Sequence, residues 1–116
     1  MSEAGDAGWE VFNIPDLVQK VAGREARYHE FIRRPSLSSA VYHLPIGCKD
    51  MQSPHLEDEI YVVIEGRARL RVDGDEQQVS PGSVLYVKAN TSHSFFDIEE
   101  PLTVLAFFGP VPGSLI

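Results

Sequence analysis

The sequence predicts an all-β fold, a sandwich or barrel, preceded by one short helix. Three observations predict it. From residue 26 onward, extended apolar or alternating runs recur between turn signals spaced about 8–12 residues apart. Helix signals gather in a single segment, residues 13–23. With 116 residues and 43% hydrophobic content, the chain has the size of one core. The expected organisation is a flexible tail over 1–8 and a single β-barrel domain over 9–116.

The helix comes first in the chain. Asn13 can cap it, Pro15 sits where a missing N–H costs nothing, and Asp16 suits the first turn. Leu17, Val18 and Val21 fall on one side, and Gly23 stops the segment. Such a helix docks on a larger body.

Strands follow. Tyr28–Arg33 and Ser38–Leu44 read as extended runs divided by Pro35 and closed by Pro45 and Gly47. Glu59–Glu65 carries Ile60, Tyr61, Val62, Val63 and Ile64 in succession, which fits a strand covered on both faces. Arg67–Val72 alternates, with Ala68, Leu70 and Val72 to one face and three arginines to the other. Asp73-Gly74 marks a hairpin, since glycine accepts the positive φ of a tight turn. Gln77–Ser80, Ser83–Lys88, His93–Ile98 and Leu102–Phe108 complete a set of seven or eight strands. No internal repeat or low-complexity tract interrupts them.

Charge narrows the function. Ten Lys and Arg against 17 Asp and Glu leave a net charge of −7, without the basic face that nucleic acid or an anionic membrane calls for. No apolar run approaches the ~18–20 residues that cross a bilayer. The acidic, polar start lacks the basic and apolar regions of a secretory signal, so the expectation is a cytoplasmic protein. Cys48 is the only cysteine, which excludes an intrachain disulfide and a thiolate metal cluster. No G-x-S-x-G elbow marks a nucleophilic serine.

Two places can carry chemistry. In the run Gln52-Ser53-Pro54-His55-Leu56-Glu57-Asp58-Glu59, extended backbone sends His55 and Glu59 to the same side, at the entrance to the most apolar strand. A carboxylate there needs a cation or a hydrogen-bonding partner. His93 follows the Asn90-Thr91-Ser92 turn and shares a face with Phe95. If the two strands are neighbours, two imidazoles and one carboxylate converge and leave coordination positions open. Iron uses such a set, and Zn, Mn, Ni or Cu can also use it. His29 and His43 read as surface or satisfied core residues. By strand parity Tyr61, Val63 and Phe95 face the same cavity, with Tyr42, Met51 and Phe107 as further walls. With no cluster of Lys or Arg directed inward, this lining suits a small, partly apolar ligand.

These residues also stand at the spacing of a known pattern, and the chain resembles the cupin superfamily. The first cupin motif is G(X)5HXH(X)3E(X)6G. Gly47, Ser53-Pro54-His55, Glu59 and Gly66 keep its intervals. The second is G(X)5PXG(X)2H(X)3N, matched in spacing by Gly82, Lys88-Ala89-Asn90, His93 and Asp97. The resemblance implies a double-stranded β-helix, or jelly-roll, barrel and a divalent metal held by His55, Glu59 and His93. Ser53 stands where the family has its first metal-binding His. Small stand-alone cupins with Q-x-P-H-x-x-D-E-x-Y at this place bring in Gln52 as a further ligand. The family also implies a homodimer and a small-molecule ligand. Two functions are consistent with this: a metal-dependent enzyme such as a dioxygenase or isomerase, or a non-catalytic binding or regulatory cupin with a degenerate metal site.

Overall fold

The structure, a computed structural model, describes residues 8–50 and 56–110. The expected tail therefore lies outside the described residues except for Gly8, and so do Met51, Gln52, Ser53, Pro54 and His55. Among the described residues no helix is long and apolar enough to cross a membrane.

Among the described residues one helix, α1 (Ile14–Val21), leads into six strands: β1 (Arg27–Arg34), β2 (Leu37–Leu44), β3 (Glu59–Val72), β4 (Asp75–Val79), β5 (Val84–Val87) and β6 (His93–Phe108). The helix starts as expected but with a different cap. Asn13 closes the first turn through its carbonyl, which accepts from the N–H groups of Asp16 and Leu17, and its side chain makes no capping hydrogen bond. Leu17 and Val21 are the buried residues of α1.

The strands are fewer and longer than the sequence suggests. The runs 59–65 and 67–72 join into the 14-residue β3, and 93–98 and 102–108 join into the 16-residue β6. Both long strands bend without breaking. In its first half β3 pairs with β5 and with the second half of β6, through Tyr61↔Leu85 and Tyr61↔Ala106. In its second half it pairs with β4 and the first half of β6, through Leu70↔Gln77 and Leu70↔Phe95. The register shifts between Val63 and Glu65, Glu65 and Arg67, and Arg67 and Arg69 mark the bend. Folding a continuous antiparallel sheet at this line produces two facing layers, one extended by β2 and β1 on β6 and the other ending at β4.

Gly66 makes the bend possible. It holds φ at +92°, and a Cβ there would lie 2.1 Å from the Pro101 carbonyl oxygen. A residue with a side chain would meet both a left-handed backbone and a steric collision. The hairpin after β3 also behaves as read, with positive φ at both Asp73 and Gly74, the twist that suits a two-residue turn.

Apolar residues separate into two clusters. The interior cluster between the layers contains Leu44, Tyr61, Val63, Ala68, Leu70, Phe95, Ile98, Leu102 and Val104. An outer cluster lies under α1, where Leu17 and Val21 meet Val41 and Leu105, joined by Val62, Ile64 and Phe107. Only part of the β3 run is thus covered on both faces: α1 shields Val62 and Ile64, while Ile60 is exposed. His43 is a satisfied core residue. Its ring nitrogens reach the Thr103 hydroxyl at 2.9 Å and the Gly23 carbonyl at 3.0 Å, which ties the end of the helical segment to β2 and β6. The arginine face of β3 is likewise spoken for, with Arg67 on Glu100 and both Arg69 and Arg71 on Glu76.

Replacing Gly66 with alanine should lower unfolding stability by about 2 kcal/mol or more, from the strained backbone and the collision together. Urea denaturation checks this, and a loss within ~0.5 kcal/mol would contradict the role given to Gly66.

Candidate metal centre

The bend of β3 and β6, and not direct pairing, brings together groups 34 residues apart in the chain: in the ladder Glu59 lies opposite Phe108 and His93 opposite Val72. Glu59 opens β3 and His93 opens β6. Both side chains turn inward, and both are buried. The His93 Nε2 atom lies 3.2 Å from Glu59 Oε1. Tyr61, two residues beyond Glu59 on the same face, places its hydroxyl 3.1 Å from the same nitrogen.

The other ring nitrogen sets the tautomer. His93 Nδ1 is 2.8 Å from the Thr91 carbonyl, which can only accept, so Nδ1 carries the hydrogen. That leaves Nε2 as the variable position. Neutral His93 has a lone pair there and can accept the Tyr61 hydroxyl proton. Protonated His93 donates from Nε2 to Glu59. The balance shifts toward the charged form: His93 titrates above its ordinary 6.5 because of the hydrogen bond to Glu59. Burial opposes that shift, while the Thr91 carbonyl and the charges of Glu59 and Asp50 favour it.

A metal ion fits the same place. Bonds of ~2.0–2.2 Å to nitrogen and oxygen put neighbouring donors about 2.8–3.6 Å apart, and the imidazole and carboxylate already stand at that separation. The Nδ1–H···O=C bond is also the kind of outer contact that orients a ligating histidine. Among the described residues no group of three His, Cys, Asp or Glu gathers. Glu59 and His93 are the pair the structure brings together, while His55 and Gln52, the other expected ligands, lie outside the described residues.

The expected walls divide. Tyr61, Val63 and Phe95 lie in the interior cluster, with Tyr42 packed partly buried against it. Tyr61 and Phe95 meet edge to face at 4.9 Å between ring centres. Phe107 is a correction. It packs in the outer cluster beneath α1, because parity along β6 turns it away from its interior neighbours Ala106 and Phe108. Met51 is outside the described residues.

Sequence reading missed a second layer of polar contacts. Asp50 accepts the Tyr42 hydroxyl at 3.0 Å and the Phe95 N–H at 2.9 Å, so one carboxylate links the β2–β3 connection to β6. Burial and Asp50 together push the Tyr42 phenol well above its usual range. Tyr28 meets Tyr42 edge to face at 5.7 Å and is raised by burial and then by Glu30, Glu59 and Glu57. Asp50 lies in a loop with no periodicity to reveal its direction. Tyr28 could have been found from its direct pairing with Tyr42 across β1 and β2. Asp58, exposed, accepts the Ala89 N–H at 2.8 Å. Cys48 is a partly buried filler against the interior cluster.

Comparison with known proteins agrees with this architecture. The model of the cupin domain matches residues 40–108. The uncharacterised protein SCO3923 of Streptomyces coelicolor is 39% identical over 101 residues, covering 87% of this chain and 96% of that protein. The chain therefore belongs to the cupin domain family. Among solved structures, a cupin superfamily protein from Desulfitobacterium hafniense superposes with a TM-score of 0.73 at 16% identity, over 81% of this chain and 87% of that one. The DMSP lyase DddQ from Ruegeria pomeroyi superposes at 0.69 with 19% identity, over 76% of this chain and 48% of that one. At these identities the likeness is one of fold, the double-stranded β-helix.

The raised His93 titration gives a signed prediction for the metal-free protein. A folded-state value above 6.5 contributes stability that is complete below 6.5 and is lost as pH rises through the folded value. The stability gap between wild type and His93→Gln, both freed of metal, should narrow as pH climbs from 6.5. Thermal unfolding of the two proteins across that range measures it; a gap that widens would contradict the His93–Glu59 contact.

Proposed function

We propose that this protein is a small metal-dependent cupin that binds and transforms a small, partly apolar molecule inside its barrel, with His55, Glu59 and His93 holding a divalent ion. The observation that carries the reading is the buried approach of His93 Nε2 to Glu59 Oε1 at 3.2 Å. With His93 neutral and its hydrogen on Nδ1, both atoms present lone pairs, in a buried place. A cation between them relieves the repulsion, and a divalent ion does so at neutral pH without requiring a charged imidazole.

The surroundings define what such a centre accepts. Tyr42, Tyr61 and Phe95 offer aromatic surface with phenol groups at its edge, and Glu59 and Asp50 make the region anionic. No Lys or Arg belongs to the interior cluster among the described residues. A neutral or cationic molecule suits that lining, and a phosphorylated one does not. A divalent ion held there, Fe, Zn, Mn, Ni or Cu, would supply a Lewis acid. The chain's own part is to orient His93 through Thr91, to hold the ion through Glu59, and to exclude water with Phe95 and Val63. Dioxygenase and isomerase chemistry both fit a metal with free positions in a dry, partly apolar shell.

Protein purified without chelators should carry close to one equivalent of one of these metals by elemental analysis. His93→Ala and Glu59→Gln should each weaken metal affinity by at least ~10–100-fold, the loss caused even by removing a group that merely orients a ligand. Titration calorimetry, with circular dichroism to verify folding, reads the result. Unchanged affinity in both variants, or a wild type that takes up none of the five metals, would sink the reading in favour of a non-catalytic binding cupin.

A further inference from the structure

We infer that Asp50 and Asp58 are paired positioning residues, which hold the His93 imidazole against Glu59 by gripping the backbone on either side of it. The consequence for metal affinity rests on the metal-binding reading above. Both carboxylates belong to the connection between β2 and β3, and each takes a backbone N–H from the chain around His93. Asp50 Oδ2 accepts the Phe95 N–H at 2.9 Å, just after the imidazole. Asp58 Oδ1 accepts the Ala89 N–H at 2.8 Å, just before it. Each also holds a tyrosine hydroxyl. Tyr42 on β2 donates to Asp50 Oδ1 at 3.0 Å, and Tyr86 on β5 donates to Asp58.

The two grips act at different points. Ala89 lies in the turn that the Thr91 N–H closes on the Lys88 carbonyl at 3.2 Å, with Asn90 at a φ of +61°. The same turn presents the Thr91 carbonyl, which accepts from His93 Nδ1 at 2.8 Å. Asp58 therefore reaches the tautomer of His93 through one turn of backbone. It also directly precedes Glu59, and its own carbonyl accepts the Gly109 N–H at 2.9 Å, just beyond β6. One residue thus ties the start of β3 to the His93 turn and to the end of β6.

Asp50 works on the other side. The β2 partners on β6 run from Leu102 to Phe108, so among the described residues the first half of β6 pairs with β3 alone. Asp50 takes the Phe95 N–H on the side where a further strand would lie. Hydrogen bonds from N–H to an ionised carboxylate are about twice as strong as neutral ones. Two of them suit a site whose groups must be held within about 0.5 Å of their working geometry.

The test compares wild type with Asp50→Ala, Asp58→Ala and the corresponding Asn variants, whose amide oxygen can still accept the N–H. In metal-free protein, at a pH where His93 is neutral, nitrogen-15 NMR of the imidazoles reads the tautomer, with His93→Gln to assign the signal. Wild-type His93 should carry its hydrogen on Nδ1. His43, whose Nε2 faces the Gly23 carbonyl, should carry it on Nε2 and serve as an internal reference. Asp58→Ala should release the Thr91 carbonyl and move the His93 hydrogen toward Nε2, where Glu59 Oε1 accepts it at 3.2 Å. Both Ala variants should weaken zinc binding in calorimetry by about tenfold or more, and the Asn variants should restore most of the loss. A role in stability alone would leave the tautomer as in wild type. Asp58 is exposed, so its variants decide the matter even if Asp50→Ala fails to fold. A wild-type tautomer in Asp58→Ala, with wild-type zinc affinity in the Ala variants, would overturn the assignment and leave the metal centre standing. A shifted tautomer in Asp58→Ala, alongside a wild type that takes up no zinc, would uphold the positioning and overturn the metal reading.

Discussion

The structure turns on a short buried distance between a carboxylate oxygen and an imidazole nitrogen. His93 Nε2 and Glu59 Oε1 face each other at 3.2 Å inside a shell of aromatic and branched side chains. In water such a pair would hydrate and separate. Here the bend of β3 and β6 holds them across a buried interior, where a positive charge between them is favoured. A proton can supply it, which is why His93 titrates high, and so can a metal ion.

Much of the remaining architecture serves that approach. The fold over Gly66 and Pro101 lets two halves of the same strands face each other, and its sharpness depends on a backbone contact no side chain would permit. Thr91 fixes the imidazole, and Asp50 ties the loop before the site to Phe95 on the strand that holds His93. Helix α1 adds a second apolar cluster on the outside, and His43 fastens the end of that segment to the sheet through Thr103 and Gly23. The exterior is stabilised separately from the cavity.

Parity along a strand was a reliable guide where the strand was regular. Glu59, Tyr61, Val63 and Phe95 all lie where alternation puts them. Phe107 was placed as a wall without it, because a strand apolar on both faces does not show which face meets the interior and which meets the helix. Strand counting failed for a related reason. Gly66 and Pro101 read as breaks, yet across the sheet they accommodate each other and let β3 and β6 run on. Loop residues such as Asp50 gave no reading at all, since their direction follows from tertiary hydrogen bonds instead of a local period.

The sequence by itself determined the all-β class, the single short helix, the tight turns and the pairing of Glu59 with His93 as candidates, because each depends on local spacing or on residue chemistry. Only the tertiary structure decided how near those two groups come, which tautomer His93 holds, and that the Tyr61 hydroxyl joins them. The physical reason is that alternation tells which side of a strand a residue faces but nothing about distance across a fold. A separation of 3.2 Å between side chains 34 positions apart is a product of register, twist and bend together.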